Sequence, residues 1–140
     1  MTLKIPRHVE ENLSSLQRFA NKTRGLYGFP IYLVGSALSG SNSNPRDWDI
    51  RLILPNDEFD RHFGDHNKWM WEGTSGQWTE IRWKWSDACV KLSKQGYYEC
   101  RLNIDFQIYP EEYADTVYPE SSFPRMQIDT RGKDVNQSKS

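Results

Sequence analysis

Val9, Leu13, Leu16, Phe19 and Ala20 recur at intervals of three and four, with Glu10, Glu11, Asn12, Gln17 and Arg18 between them. That spacing predicts an amphipathic helix over about residues 8–22. Gly25 and Gly28-Phe29-Pro30 interrupt it, and Ile31-Tyr32-Leu33-Val34 predicts a short strand ending at Gly35. Ser36 to Arg46 is mostly Ser, Gly, Asn and Pro and reads as a loop. Residues 47–54 then alternate: Trp48, Ile50, Leu52 and Leu54 on one face, Asp47, Asp49, Arg51 and Ile53 on the other. This predicts a half-buried strand, closed by Pro55-Asn56-Asp57.

A short helix is expected around Asp57–Phe63, and the Trp-rich stretch from there to residue 78 shows no clear period. From Ser75 or Thr79 a second long helix is predicted, with Ile81, Trp85, Ala88, Cys89 and Leu92 on one stripe, Lys91 and Lys94 in its last turn, and Gly96 as its stop. Residues 97–109 alternate again and predict a third strand. Tyr98, Cys100, Leu102, Ile104, Phe106 and Ile108 face one way; Tyr97, Glu99, Arg101, Asn103, Asp105, Gln107 and Tyr109 face the other. Together these predict an α/β (α+β) fold, a small mixed β-sheet backed by helices, in one domain over residues 1–124. The polar stretch 125–140 is expected to be a flexible tail.

Composition narrows the class. Eighteen Lys and Arg against 19 Asp and Glu give a net charge of −1, without the basic excess of a dedicated nucleic-acid binder. Mean hydropathy is low at −0.82. Six Trp, seven Tyr and six Phe offset this, since each can bury roughly 150–250 Å². No apolar run approaches the roughly 18 residues of a membrane span, and residues 1–6 lack the apolar stretch of a signal peptide. Cys89 and Cys100 imply no disulfide framework; both fall on apolar stripes, and a cytoplasmic location is expected.

Asp47 and Asp49 lie two apart on a strand, so both carboxylates project from one face. Like charges so placed repel unless a cation neutralises them. Mg²⁺ suits the pair, because it takes a few carboxylates together with substrate phosphates. Asp105 is on the polar face of the last strand. If that strand neighbours 47–54 in register, three carboxylates converge and can hold two metal ions. Gly35-Ser36, at the end of the preceding strand, permits close approach of the backbone to a phosphate, and the Ser36 hydroxyl can donate to one. Arg51 shares the face of Asp49, where it either neutralises carboxylates or meets a phosphate.

Gly35-Ser36, ten intervening residues, then Asp47-Trp48-Asp49 resembles the Gly-Ser-x10-Asp-x-Asp signature of the polymerase-beta-like nucleotidyltransferase superfamily. It is most similar to the minimal members, which include antitoxin-type enzymes that transfer AMP to partner proteins. Ile104-Asp105-Phe106 looks like that family's third carboxylate strand, and Gly40 falls where small members carry a second glycine. Ser39 departs from the Arg often found there, and Trp48 replaces an aliphatic residue. The resemblance implies that Gly35 and Ser36 hold the nucleotide. Asp47, Asp49 and Asp105 would bind Mg²⁺, two ions or Mn²⁺ in their place, and catalyse transfer. The donor would be an NTP, ATP first among them, and the acceptor a hydroxyl on a protein, RNA or small molecule.

Other readings compete at several positions. A nucleotidyltransferase-like module without chemistry would use the Trp-rich 69–85 segment as a contact surface. An Asp-x-Asp motif also serves sugar-nucleotide transferases, whose catalytic domains are normally much longer. His62 and His66, beside Asp60 and Asp65, have a spacing seen in zinc sites, but Gly64 between them weakens a helix and no further Cys or His lies nearby, so a solvated loop is the better reading. Trp69, Trp71, Trp78, Trp83 and Trp85 can stack on a base, form core or meet a partner.

Overall fold

A computed structural model describes residues 4–40 and 44–130. Ten elements follow one another: α1 (Arg7–Tyr27), β1 (Ile31–Val34), α2 (Gly35–Ser39), β2 (Trp48–Leu54), α3 (Asn56–His62), α4 (His66–Ser75), α5 (Glu80–Cys100), β3 (Ile104–Pro110), α6 (Glu111–Val117) and β4 (Met126–Gln127). The strands form one mixed sheet in the order β3-β2-β1-β4, with β2 and β3 parallel and the other pairs antiparallel. The α+β class expected from the chain's periodicity is therefore what is found.

The period-two pattern of β2 decides the layering. Trp48, Ile50, Leu52 and Leu54 are buried, and so are Ile31 and Leu33 of β1 and Ile104, Phe106 and Ile108 of β3. The apolar stripes of α1 (Val9, Leu16, Phe19, Ala20) and α5 (Trp85, Cys89, Leu92) complete this core, with the Phe19 and Phe106 rings edge to face at 5.9 Å. Helix α5 also satisfies the outer edge of β3. Ser93 Oγ accepts from the Phe106 amide at 2.9 Å, and the Trp85 indole donates to the Ile108 carbonyl at 2.6 Å. The side chains thereby occupy backbone groups that an open edge would leave unpaired.

Gly25 does not interrupt the first helix, which runs on to Tyr27, and four further expectations need correction. The 36–46 stretch is not wholly loop, because Gly35–Ser39 forms one short helix; residues 41–43 lie outside the described residues. Gly96 does not end α5. It is a buried helical position where an added Cβ would lie 2.8 Å from Ile104 Cγ1, so the glycine admits the strand rather than stopping the helix. The helix instead continues to Cys100 and stops at Arg101, whose φ of 57° is left-handed. Tyr97, Tyr98, Glu99 and Cys100 are thus helical, and the strand begins only at Ile104.

The fourth correction concerns the tail. Residues 125–130 are built into the fold: β4 pairs with β1, and Ile128 and Asp129 are fully buried. The Asp129 carboxylate accepts from Arg24 (2.7 Å) and from the Ile31 amide (2.8 Å), while Asn21 and Thr130 exchange two hydrogen bonds of 2.7 Å. Residues 131–140 of the expected tail lie outside the described residues.

The Trp-rich segment contains α4 and the start of α5. Trp69 is its centre, packed against Phe59, Trp85 and Tyr113 at 5.0–5.3 Å, with the Arg82 guanidinium 4.3 Å above its ring. Glu72, also fully buried, accepts from the amide and hydroxyl of Thr79 and so ties α4 to the start of α5. Among the described residues no helix is long and apolar enough to cross a membrane.

Candidate active site

The face of the sheet opposite the core carries the side chains that alternation left over. Register aligns them in rows across the strands. Val34 lies opposite Asp49 and Asp49 opposite Asp105; one step along, Tyr32 lies opposite Arg51 and Arg51 opposite Gln107. Adjacent strands are about 4.8 Å apart, so Asp49 and Asp105 are neighbours across the β2–β3 pair. Gly35 follows Val34 directly, with φ +77°, and an added Cβ there would sit 2.3 Å from Asp49 Oδ2. The glycine is required twice, by its left-handed backbone and by the carboxylate pressed against it.

Asp49 is half-buried and strongly surrounded. Burial raises its pKa above the ordinary value; Arg51 pulls it down, and Asp105 and Asp47 push it further up. The Arg51 guanidinium stands 3.6 Å from Asp49 Oδ1. It also donates to the carbonyls of Ile50 (2.9 Å) and Asp105 (2.8 Å) and lies 5.4 Å from the centre of the Tyr109 ring. Gln107 bonds Asp105 at 3.5 Å and accepts from the Tyr109 hydroxyl at 3.2 Å. Burial pushes the Tyr109 phenol up to about 12, so it stays protonated as that donor.

The other two expected residues are more peripheral. Asp47 precedes β2, is exposed, and accepts a 2.6 Å hydrogen bond from Asn103. Ser36 is exposed on α2, where its carbonyl receives the Gly40 amide at 3.2 Å. The fold thus brings Gly35, Asp49 and Asp105 together, puts Asp47 near enough to act on Asp49, and leaves Ser36 at the rim.

A cavity of about 340 Å³ opens from this row. Gly35, Asp49 and Arg51 line one part, Ile53, Ala114 and Tyr109 another, and Tyr118, Phe123 and Arg125 complete the wall. Tyr109 and Tyr118 are stacked at 5.8 Å, Phe123 meets Tyr118 edge-on at 5.3 Å, and Arg125 lies over the Tyr32 ring at 5.5 Å. Tyr118 and Phe123 remain 40% and 48% exposed, which leaves aromatic surface open to a planar ligand. The periodicity of the chain did not single out Tyr118, Phe123 or Arg125. Their one local signal is the pair of prolines, Pro119 and Pro124, that turns the chain back over the sheet.

The donor set of Asp47, Asp49 and Asp105 is entirely carboxylate oxygen, which suits Mg²⁺ or Mn²⁺ rather than zinc. Asp47, Asp49 and Asp105 do not all come within 4.8 Å of one another, so the expected convergence of three carboxylates is not met; among the described residues the group that does is Asp60, Asp65 and His66. There Asp65 caps α4 through the Asn67 amide at 2.9 Å, and Asp60 binds the His66 amide and ring, both at 2.8 Å. Those oxygens hold a helix start. His62 points away, against the Tyr27 ring at 5.1 Å, so the two histidines do not form a zinc pair. No Trp lines the cavity; Trp48, Trp69 and Trp85 are core, while Trp71, Trp78 and Trp83 are exposed. No family model, no curated protein and no solved structure matches the chain.

Proposed function

We propose that the chain is a metal-dependent nucleotidyltransferase, moving a nucleoside monophosphate from an NTP, ATP first among them, to an acceptor hydroxyl on a protein, RNA or small molecule. The observation that carries this reading is the row in which Gly35, just past the end of β1, lies against Asp49 of β2 and Asp49 lies beside Asp105 of β3, at the mouth of an aromatic-walled cavity. Asp47, Asp49 and Asp105 would hold Mg²⁺, or Mn²⁺ in its place. A bound divalent ion supplies charge for the triphosphate and lowers the pKa of the acceptor hydroxyl.

The residues of the chain do the rest. Gly35 gives the space of a side chain to the Asp49 carboxylate, and Ser36 lies close by at the rim. Tyr118 and Phe123 offer ring faces for the base, worth about 1–3 kcal/mol per stacked base. Asp105 takes the proton of the acceptor hydroxyl. The acceptor oxygen bonds to the α-phosphorus, the bond to the β-phosphate oxygen breaks, and pyrophosphate leaves.

The test is a melting series with Mg²⁺ and each of the four NTPs. A nucleotide at 100 times its Kd adds about 2.7 kcal/mol. The midpoint should rise by several degrees in the wild type and stay at its own unliganded value in Asp49→Asn. An equal rise in the variant would remove the site from this region. One observation favours a second reading, a binding module without chemistry: Trp71, Trp78 and Trp83 are 55%, 39% and 62% exposed. Partner capture that survives Asp47→Asn/Asp49→Asn, with no transfer by the wild type, would select it.

A further inference from the structure

Arg51 is fixed in place from several directions. Its side chain is only 14% exposed, one terminal nitrogen is held by the carbonyls of Ile50 and Asp105, the other faces Asp49 Oδ1, and the Tyr109 ring stands alongside. Such a guanidinium does not swing in and out with a ligand; its charge is a permanent part of the carboxylate cluster. The two oxygens of Asp49 are consequently unlike. Oδ1 faces Arg51, and Oδ2 faces the bare backbone of Gly35. Formal charges follow directly: three carboxylates and one guanidinium leave −2, which one divalent ion neutralises.

We propose that Arg51 is the built-in counter-charge of this site, standing in for one of two cations, so that the protein holds a single divalent ion whose affinity Arg51 sets. The inference rests on the reading that Asp47, Asp49 and Asp105 take a divalent ion. It assigns Arg51 a positioning role through Asp49 and narrows the two-ion expectation to one.

Mn²⁺ titration of the whole chain, followed by electron paramagnetic resonance, tests this. Equivalents at the site are those lost in Asp49→Asn. The wild type should bind one such equivalent. Arg51→Met should bind Mn²⁺ at least tenfold more tightly or take up a second equivalent, and Arg51→Lys, which keeps the charge, should stay within about threefold of the wild type. Arg51→Gln replaces the Met variant if the latter does not fold. Unchanged or weaker binding on loss of the charge overturns the proposal, as do two equivalents in the wild type. Mn²⁺ taken up by none of these proteins at an Asp49-dependent site would overturn the metal reading itself, and this inference with it.

Discussion

Gly35→Ala separates what the backbone requires at this position from what the site requires. Gly35 and Gly76 share a φ of +77°, but an added Cβ meets nothing within 4 Å at Gly76 and lies 2.3 Å from Asp49 Oδ2 at Gly35. An L-residue held in left-handed geometry costs about 1–2 kcal/mol. At this chain length 1 kcal/mol is worth about 4 °C, so Gly76→Ala should lower the midpoint by about 4–8 °C. Gly35→Ala carries the same backbone cost and must also drive the Asp49 carboxylate off its rotamer, a further cost of about 1 kcal/mol or 4 °C. The decisive difference lies in ligand response. Gly76→Ala should keep the full Mg²⁺- and NTP-dependent rise in melting temperature, and Gly35→Ala should lose it because Asp49 has been moved. Melts followed by circular dichroism, with and without Mg·NTP, make the comparison. Equal ligand response in the two variants would refute the role given to Gly35.

Burial raises the Asp49 pKa in the folded chain, so the fold binds that proton more tightly than the unfolded chain does, and stability falls as pH rises through the folded value. Without metal, Asp49→Asn should therefore melt above the wild type at pH 7, with the gap closing towards about pH 4, the ordinary Asp range; a lower melt at pH 7 contradicts this. Asp129→Ala removes the acceptor of Arg24 and of the Ile31 amide at a fully buried position. About 3 kcal/mol, or about 12 °C, should be lost in thermal melts, and Asp129→Asn, which still accepts from Ile31, should lose less. Burial pushes the Cys89 thiol up to about 12 and also raises Cys100. Neither should react with a thiol reagent at pH 8 in the native chain, and both should do so in denaturant.

Much of the scaffold was legible because its elements are long relative to their period. Seven alternating residues suffice to orient β2, and the face on which they put Asp49, Arg51 and Ile53 is the cavity face. The spacing of Gly35 to Asp49 points at their neighbourhood but contains no strand order. The pairing of Asp49 with Asp105 depends on β3 lying parallel to β2, which α5 decides from far along the chain. Gly96 misleads because a helical glycine can be there for packing, here against Ile104, as readily as for termination. Two residues of β4 are too few to show a period, and what holds them is Asp129, a polar residue whose burial becomes apparent only beside Arg24 and Ile31. The cavity wall failed to show for the same reason. Tyr118, Phe123 and Arg125 belong to a turn-rich segment, where side chains are brought to the site by the path of the chain rather than by repeat.

Crystals grown with Mn²⁺ and a non-hydrolysable NTP analogue test the central claim most directly, because anomalous scattering places the ion without reference to any motif. The predicted result is Mn²⁺ among Asp47, Asp49 and Asp105, with the α-phosphate beside Gly35 and the base against Tyr118 and Phe123. Mn²⁺ at Asp60, Asp65 and His66 alone, or an analogue bound away from the Gly35–Asp49–Asp105 row, would contradict it.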